Sequence, residues 1–361
     1  STPLELLLFQ RLIGVNGIGP KLALAVLSGL EPPDLMRALR GGAGDCMAIS
    51  IYGTSNTSLS NIVIDSNIIY DCEPGHSEAL TLNGNVDTFW VTNNLVHDVN
   101  NIGIDMIGGE GTCPTPSLDA VRNGICKGNI VYNAHSLYGG GYAAGIYVDG
   151  GINIIVENNK SYSNDVGIEI GCENQGRVSS GMIVRNNLVF DNDKRGIGIG
   201  GYNFPLTGKV TTTNILNNTC FNNDTEGTEA GELIIEYTEN CIIKNNIFYS
   251  SSQNRLMTTM VGNSTGNILD YNLWFAPGGV NSATIDYAGT VYTGFNNYKT
   301  GTGQDGNSLF SNPLFVSSSL PSPDLHLQNG SPAIDAGDPA FVPASGETDE
   351  DGNPRVDNLR V

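Results

Sequence analysis

The sequence predicts an all-β chain, a right-handed parallel β-helix, over about residues 43–300. Three observations predict it. One short frame recurs eight times along the chain. Aligning the copies puts like residues in the same columns while the step between copies varies. Forty-six glycines and repeated Asn-Asn pairs imply frequent turns, and therefore short strands.

The copies are NIVIDSNIIYD, FWVTNNLVHD, GICKGNIVYN, IIVENNKSYSN, MIVRNNLVFDN, NILNNTCFNN, CIIKNNIFYS and ILDYNLWFA. They align Asn67, Asn94, Asn129, Asn159, Asn187, Asn218, Asn246 and Asn272, with steps of 27, 35, 30, 28, 31, 28 and 26 residues. Three positions earlier runs an apolar column from Ile64 to Leu269, and two positions later a second from Ile69 to Trp274. One position further runs an aromatic file: Tyr70, His97, Tyr132, Tyr162, Phe190, Phe221, Tyr249 and Phe275. Strands that pair with the coil above and below, about 4.8 Å away, stack like on like, and Asn amides form ladders at a bend. Variable steps with constant columns mean that insertions leave the coil as loops. His97 belongs to the aromatic file and reads as structural. No Leu-x-x-Leu frame or 3.6-residue period supports a leucine-rich or helical solenoid.

A second set of segments, EALTLNG, GIDMIGG, GIYVDGG, GIEIGCE and GIGIGGY, supplies another strand per coil. Alternation sends Leu80, Leu82, Ile104, Met106, Ile146, Val148, Ile168, Ile170, Ile197 and Ile199 inward. Thr81, Asn83, Asp105, Tyr147, Asp149, Glu169, Gly198 and Gly200 then face solvent.

Residues from about 45 to 361 resemble the right-handed parallel β-helix repeat proteins of the pectate-lyase-like superfamily. The tail SNPLFV…DLHLQNGSPAIDAG…DEDGNPR is similar to the C-terminal stretch of its secreted members, and residues 301–361 are expected to pack on the solenoid. The resemblance implies the fold; lyases, hydrolases, epimerases and adhesins share it, so the reaction stays open.

Residues 1–42 read differently. Leu22, Leu24, Val26, Leu27 and Leu30 have helical spacing. VNGIGPKLALAVLSG resembles the first helix-hairpin-helix of the Holliday-junction protein RuvA, which implies a DNA-phosphate role for Gly17, Gly19 and Lys21. No second hairpin follows: at Gly41-Gly42 the text changes to β-helix. Such a segment is either a helical cap on the open solenoid end or the mark of a chimera, a junction of two proteins. With 17 Lys and Arg against 37 Asp and Glu, a formal charge of -20 repels nucleic acid and anionic membranes, so neither is an expected partner. No apolar run reaches spanning length, and LELLLFQRL is broken by Glu5, Gln10 and Arg11, unlike a signal-peptide core. A secreted or periplasmic monomer is expected. The cysteines number seven, and Cys126 and Cys220 fall on inward columns.

The candidate chemistry lies on the second set of strands. Asp105, Tyr147, Asp149 and Glu169 converge on one face, where stacked like charges need a proton, a cation or a substrate to justify them. Asp105 and Asp149, like Asp149 and Glu169, are one coil apart and offset, with Cα atoms about 8 Å apart. The glycines leave room for a ligand. Neighbouring insertions bring Glu110, His135, Tyr138, Tyr142, Glu173, Arg177, Lys194 and Arg195 to this face, with His76, Glu78 and Asn83 at its edge. Asp105, Tyr147, Asp149, Glu169, Lys194 and Arg195 are the catalytic candidates, and the others would bind substrate. Asp105, Asp149 and Glu169 could also hold Ca²⁺. The expected function is cleavage of an acidic polysaccharide by β-elimination. A paired-carboxylate glycoside hydrolase is the alternative, and a non-catalytic glycan-binding or fusion scaffold the rival class.

Overall fold

Asn-Asn pairs make the corners of the coil. The first residue of each pair takes a left-handed conformation: Asn93, Asn158, Asn186, Asn217 and Asn245 all have φ between 52° and 59°. Asn tolerates this region better than most residues with a Cβ. The second residue turns its amide inward. The computed structural model describes residues 47–138, 140–228, 230–259 and 264–355; the expected N-terminal helical cap lies outside them.

Three sheets run the length of the solenoid, parallel throughout except for a terminal hairpin, and the first eight coils each contribute at least one strand to each. The first sheet comprises Ile49–Gly53, Glu78–Gly84, Ile102–Ile107, Ala144–Asp149, Val166–Gly171, Arg195–Gly200, Leu233–Glu236, Arg255–Thr259, Thr284–Tyr287 and Thr290–Thr293. The second begins Leu59–Asp65, Val86–Thr92 and Arg122–Lys127, and the third Ile68–Cys72, Leu95–Val99 and Ile130–Ala134. The register matches the predicted columns. Val91 pairs with Cys126, Cys126 with Val156 and Val156 with Val184. Val96 pairs with Val131, and Val131 with Ser161. These side chains, with the inward residues of the first sheet, fill one continuous core. Cys126 and Cys220 are buried in it as thiols.

The predicted Asn ladder is continuous from Asn67 to Asn272. Each Nδ2 donates to the next Oδ1 at 2.9–3.0 Å. The second Nδ2 proton of Asn129, Asn159, Asn187 and Asn218 goes to a backbone carbonyl. The ladder ends on buried Asp305, which also accepts the Trp274 indole N–H at 3.0 Å and the Tyr298 hydroxyl at 2.9 Å. A shorter ladder at the next corner joins Asn164, Asn192 and Asn223 and ends on Glu232, whose burial pushes its carboxyl up to about 8. Outside the third sheet, His97 stacks between Tyr70 and Tyr132 at 5.4 and 4.8 Å, the structural place expected of it.

The C-terminal end of the solenoid is closed by an antiparallel strand, Thr290–Thr293, and a helix, Phe295–Thr302. Phe295 and Tyr298 of that helix seal the core, Phe295 lying 6.4 Å from the Trp274 ring. Coil pairing continues to Leu309–Phe310. The chain then returns along the outside of the coils. Phe315 packs on Phe221 and Tyr249, and Glu347 receives Arg185 at 2.9 Å. A cavity of about 310 Å³ remains between this extension and the ladder corner, touching Asn218, Asn246, His326 and Asp351.

Candidate active site

Register on the first sheet fixes the candidate face. Thr81, Asp105, Tyr147, Glu169 and Gly198 lie opposite one another on five successive coils. A parallel row contains Asn83, Ile107, Asp149, Gly171 and Gly200. A third, displaced to the outside at the glycine corner, contains Glu78, Ile102, Ala144, Val166 and Arg195. Asp105 and Asp149 are therefore on adjacent coils and offset by two residues, as the alternation predicts.

The face is not open to solvent as expected. Asp105 is 2% exposed, Asp149 4% and Tyr147 6%. The loops predicted to flank the strands fold over them instead. The floor left by the glycines is also occupied. A Cβ on Gly171 would meet the Tyr147 hydroxyl at 2.6 Å, and one on Gly198 would meet Arg195 Nε at 3.3 Å. The glycines admit these side chains rather than a ligand.

What results is a buried carboxyl cluster. Asp149 Oδ1 accepts the Glu173 backbone N–H at 2.7 Å, and the Tyr147 hydroxyl donates to Glu173 Oε1 at 3.2 Å. Asn83 donates to Glu110 at 2.6 Å and is itself held by Thr112 at 2.7 Å. Asp105 Oδ1 is buried with no hydrogen-bond partner. Burial first, and then the charges of Glu78, Asp149 and Glu173, hold the Asp105 carboxyl well above the usual carboxylate range. Asp149 is raised well above it by burial and by Glu173, and Glu173 is raised chiefly by burial. Glu78 is pushed up to about 7 by burial and by Glu110. Burial, then Asp149, also lifts the Tyr147 phenol well above its ordinary value, which suits it to donate a hydrogen bond rather than to act as a base.

At the far end of the face Arg195 pairs with Glu169 at 3.2 Å, while its buried Nε has no partner. Tyr142 lies over both Arg195 and Lys194, 5.6 Å from each cationic group. Three candidates belong elsewhere. Arg177 donates to the carbonyls of Pro116 and Asp119 and braces a loop. Lys194 forms an ion pair with Glu226, away from the carboxyl cluster, because its strand begins only at Arg195. His135 sits at the corner before the first sheet, against Asp165 and Asp193. His76 and Tyr138 stack on each other at 3.9 Å.

The three carboxylates expected to hold Ca²⁺ do not converge. Among the described residues, the group of His, Cys, Asp and Glu whose ligand atoms all lie within 4.8 Å of one another is His135, Asp165 and Asp193. Asp105, Asp149 and Glu169 form no such group, so as arranged they do not fit a preformed Ca²⁺ site, which needs six to eight oxygens at 2.3–2.6 Å. The sequence missed Asp165 and Asp193. Their signal is present in the chain, since each follows an inward Asn (Asn164 and Asn192) of the second ladder.

Three parallel sheets built from strands of successive coils, joined by Asn ladders, decide the architecture. The chain is a parallel β-helix repeat protein. No protein-family model matches it. The chain is 35% identical over 276 residues to the uncharacterized protein YwoF of Bacillus subtilis, covering 75% of this chain and 58% of that protein. It thus spans little more than half the length of that relative. A short stretch is 58% identical over 59 residues to the Holliday junction branch migration complex subunit RuvA of Pseudomonas putida, 16% of this chain and 28% of that one. Among solved structures, a pectate lyase from Bacillus sp. N165 in complex with trigalacturonate covers 81% of this chain and 90% of its own, at 14% identity and a TM-score of 0.39.

Proposed function

We propose that the first-sheet face of this β-helix cleaves glycosidic bonds in an acidic polysaccharide by β-elimination, as a secreted or periplasmic monomer. The observation that carries the reading is the buried cluster of Asp105, Asp149, Glu173 and Glu78, whose carboxyls burial and mutual repulsion all raise, Glu78 to about 7. A fully ionised cluster would repel a polyuronate. Protonated carboxyls donate hydrogen bonds to it and supply a proton to the leaving oxygen.

Roles follow from position. The partly accessible guanidinium of Arg195 receives the uronate carboxylate, and Glu169 beside it takes the proton next to that carboxylate. The electron pair forms the carbon–carbon double bond, the bond to the leaving sugar oxygen breaks, and Asp149 or Asp105, reached once the covering loops part, protonates that oxygen. From the coil of Glu78 to that of Arg195 there are four steps, about 19 Å along the axis, so the glycan runs parallel to the solenoid. Hydrolysis is the second reading. The raised carboxyls favour it, since a protonated acid facing a carboxylate across a sugar is a glycosidase arrangement.

Pectate, alginate, ulvan and glycosaminoglycans are offered in turn, and unsaturated uronate absorbance and reducing ends are measured together. Absorbance growing with reducing ends supports elimination. Reducing ends alone move the assignment to hydrolysis. Neither, across the panel, leaves a non-catalytic glycan-binding solenoid.

A further inference from the structure

A different corner of the solenoid carries a second site, independent of the polysaccharide reading. His135 follows the strand Ile130–Ala134, Asp165 precedes Val166–Gly171, and Asp193 lies two residues before Arg195–Gly200. The Asp165 N–H bonds the Ala134 carbonyl at 3.0 Å and the Asp193 N–H bonds the Asn164 carbonyl at 2.8 Å, which stacks the three residues on successive coils. The Asn164–Asn192 ladder pins this register at 3.1 Å.

Each carboxylate is divided between an anchored oxygen and a presented one. Asp165 Oδ2 accepts the backbone N–H groups of Ser136 at 2.8 Å and Ala143 at 2.9 Å, while Oδ1 faces His135 Nδ1 at 2.9 Å. Asp193 Oδ1 accepts the Thr225 hydroxyl at 3.2 Å, while Oδ2 faces the same nitrogen at 3.5 Å. Anchoring one atom so that another is aimed is how outer partners orient metal ligands. A metal bound at 2.0–2.1 Å with tetrahedral angles separates neighbouring ligand atoms by about 3.4 Å. The distances from Nδ1 bracket that value. The side chains of His135 and Asp193 are 44% and 32% exposed, so the fourth direction opens to solvent.

We infer that His135 Nδ1, Asp165 Oδ1 and Asp193 Oδ2 form a site for a first-row transition-metal dication of the Zn²⁺ class, with one coordination position open. A neutral imidazole and two carboxylates bring a charge of -2, matching the ion. The imidazole nitrogen selects against Ca²⁺ and Mg²⁺, which take oxygen. Without metal, a proton shared between His135 and Asp165 fills the same space as an ion pair. The two states are alternatives.

The test is titration of the whole chain with Co²⁺, read in the visible, and with Zn²⁺ by calorimetry, at pH 7.5. Expected is one equivalent of either metal, with a Co²⁺ spectrum of low coordination number. His135→Ala and Asp193→Asn, both at accessible positions, each weaken binding at least about tenfold, and Thr225→Val weakens it less. Glu173→Gln and His326→Ala leave it unchanged. Binding that survives His135→Ala and Asp193→Asn, or that moves with Glu173→Gln, overturns the assignment. So does a wild-type chain that takes up neither metal at millimolar concentration. Circular dichroism of each variant confirms that a lost signal is not a lost fold.

Discussion

The ladder corner and the first-sheet face are built from the same repeat, and they differ in whether the repeat is kept. Along the ladder every coil supplies Asn, and every Asn satisfies the next. The neighbouring aromatic file does the same with rings stacked 4.7–5.0 Å apart from His97 to Phe190. Along the face the column changes with every coil, from Thr81 to Asp105, Tyr147, Glu169 and Gly198. No residue there satisfies its copy in the next coil, and Asp105 Oδ1 is left buried with no hydrogen bond. Where a solenoid repeats itself, the interactions are local and stabilising. Where it stops repeating, buried polarity is tolerated only for another purpose.

The largest expected effect separates the two regions by activity. Asp149→Asn and Asp105→Asn should each lower the cleavage rate at least about 100-fold, with a melting temperature at pH 8 unchanged or raised. Asn187→Ala, in the ladder, should do the reverse. It strands the partners on both sides and costs about 3 kcal/mol, while activity per folded molecule is kept. Full activity in both Asp variants would erase the distinction.

Next comes pH. Glu78 has an ordinary carboxyl pKa of 4.5 and a folded-state value of about 7, so the folded chain binds its proton more tightly than the unfolded chain. That contribution is fully present below pH 4.5 and is lost as pH rises toward 7. It amounts to roughly 3 kcal/mol. Thermal melts should therefore show higher stability at pH 5 than at pH 8, with the gradient reduced in Glu78→Gln. A flat profile in the wild-type chain would mean that the carboxyls are not held protonated.

Arg177→Ala should cost about 1–2 kcal/mol by freeing the carbonyls of Pro116 and Asp119, with the pH gradient preserved. The smallest effect is expected for Tyr132→Leu in the ring stack, about 1 kcal/mol or less by urea denaturation. Both sharpen the contrast, because neither should alter the rate as the face variants do.

The columns alone determined the inward residues, the Asn ladder and the structural role of His97, because a period-two strand stacked at fixed spacing leaves each residue one side to face. They also put Asp105, Tyr147, Asp149 and Glu169 on one face. What lay outside the repeat was not legible. Loop direction decided that the face is buried rather than open, that Arg177 braces a loop, and that Lys194 turns to Glu226. Loops carry no repeating partner to constrain them, so their placement depends on contacts far apart in sequence. The pairing of His135 with Asp165 and Asp193 is of the same kind. Each belongs to a different coil, and only stacking the coils brings their ligand atoms within 4.8 Å of one another.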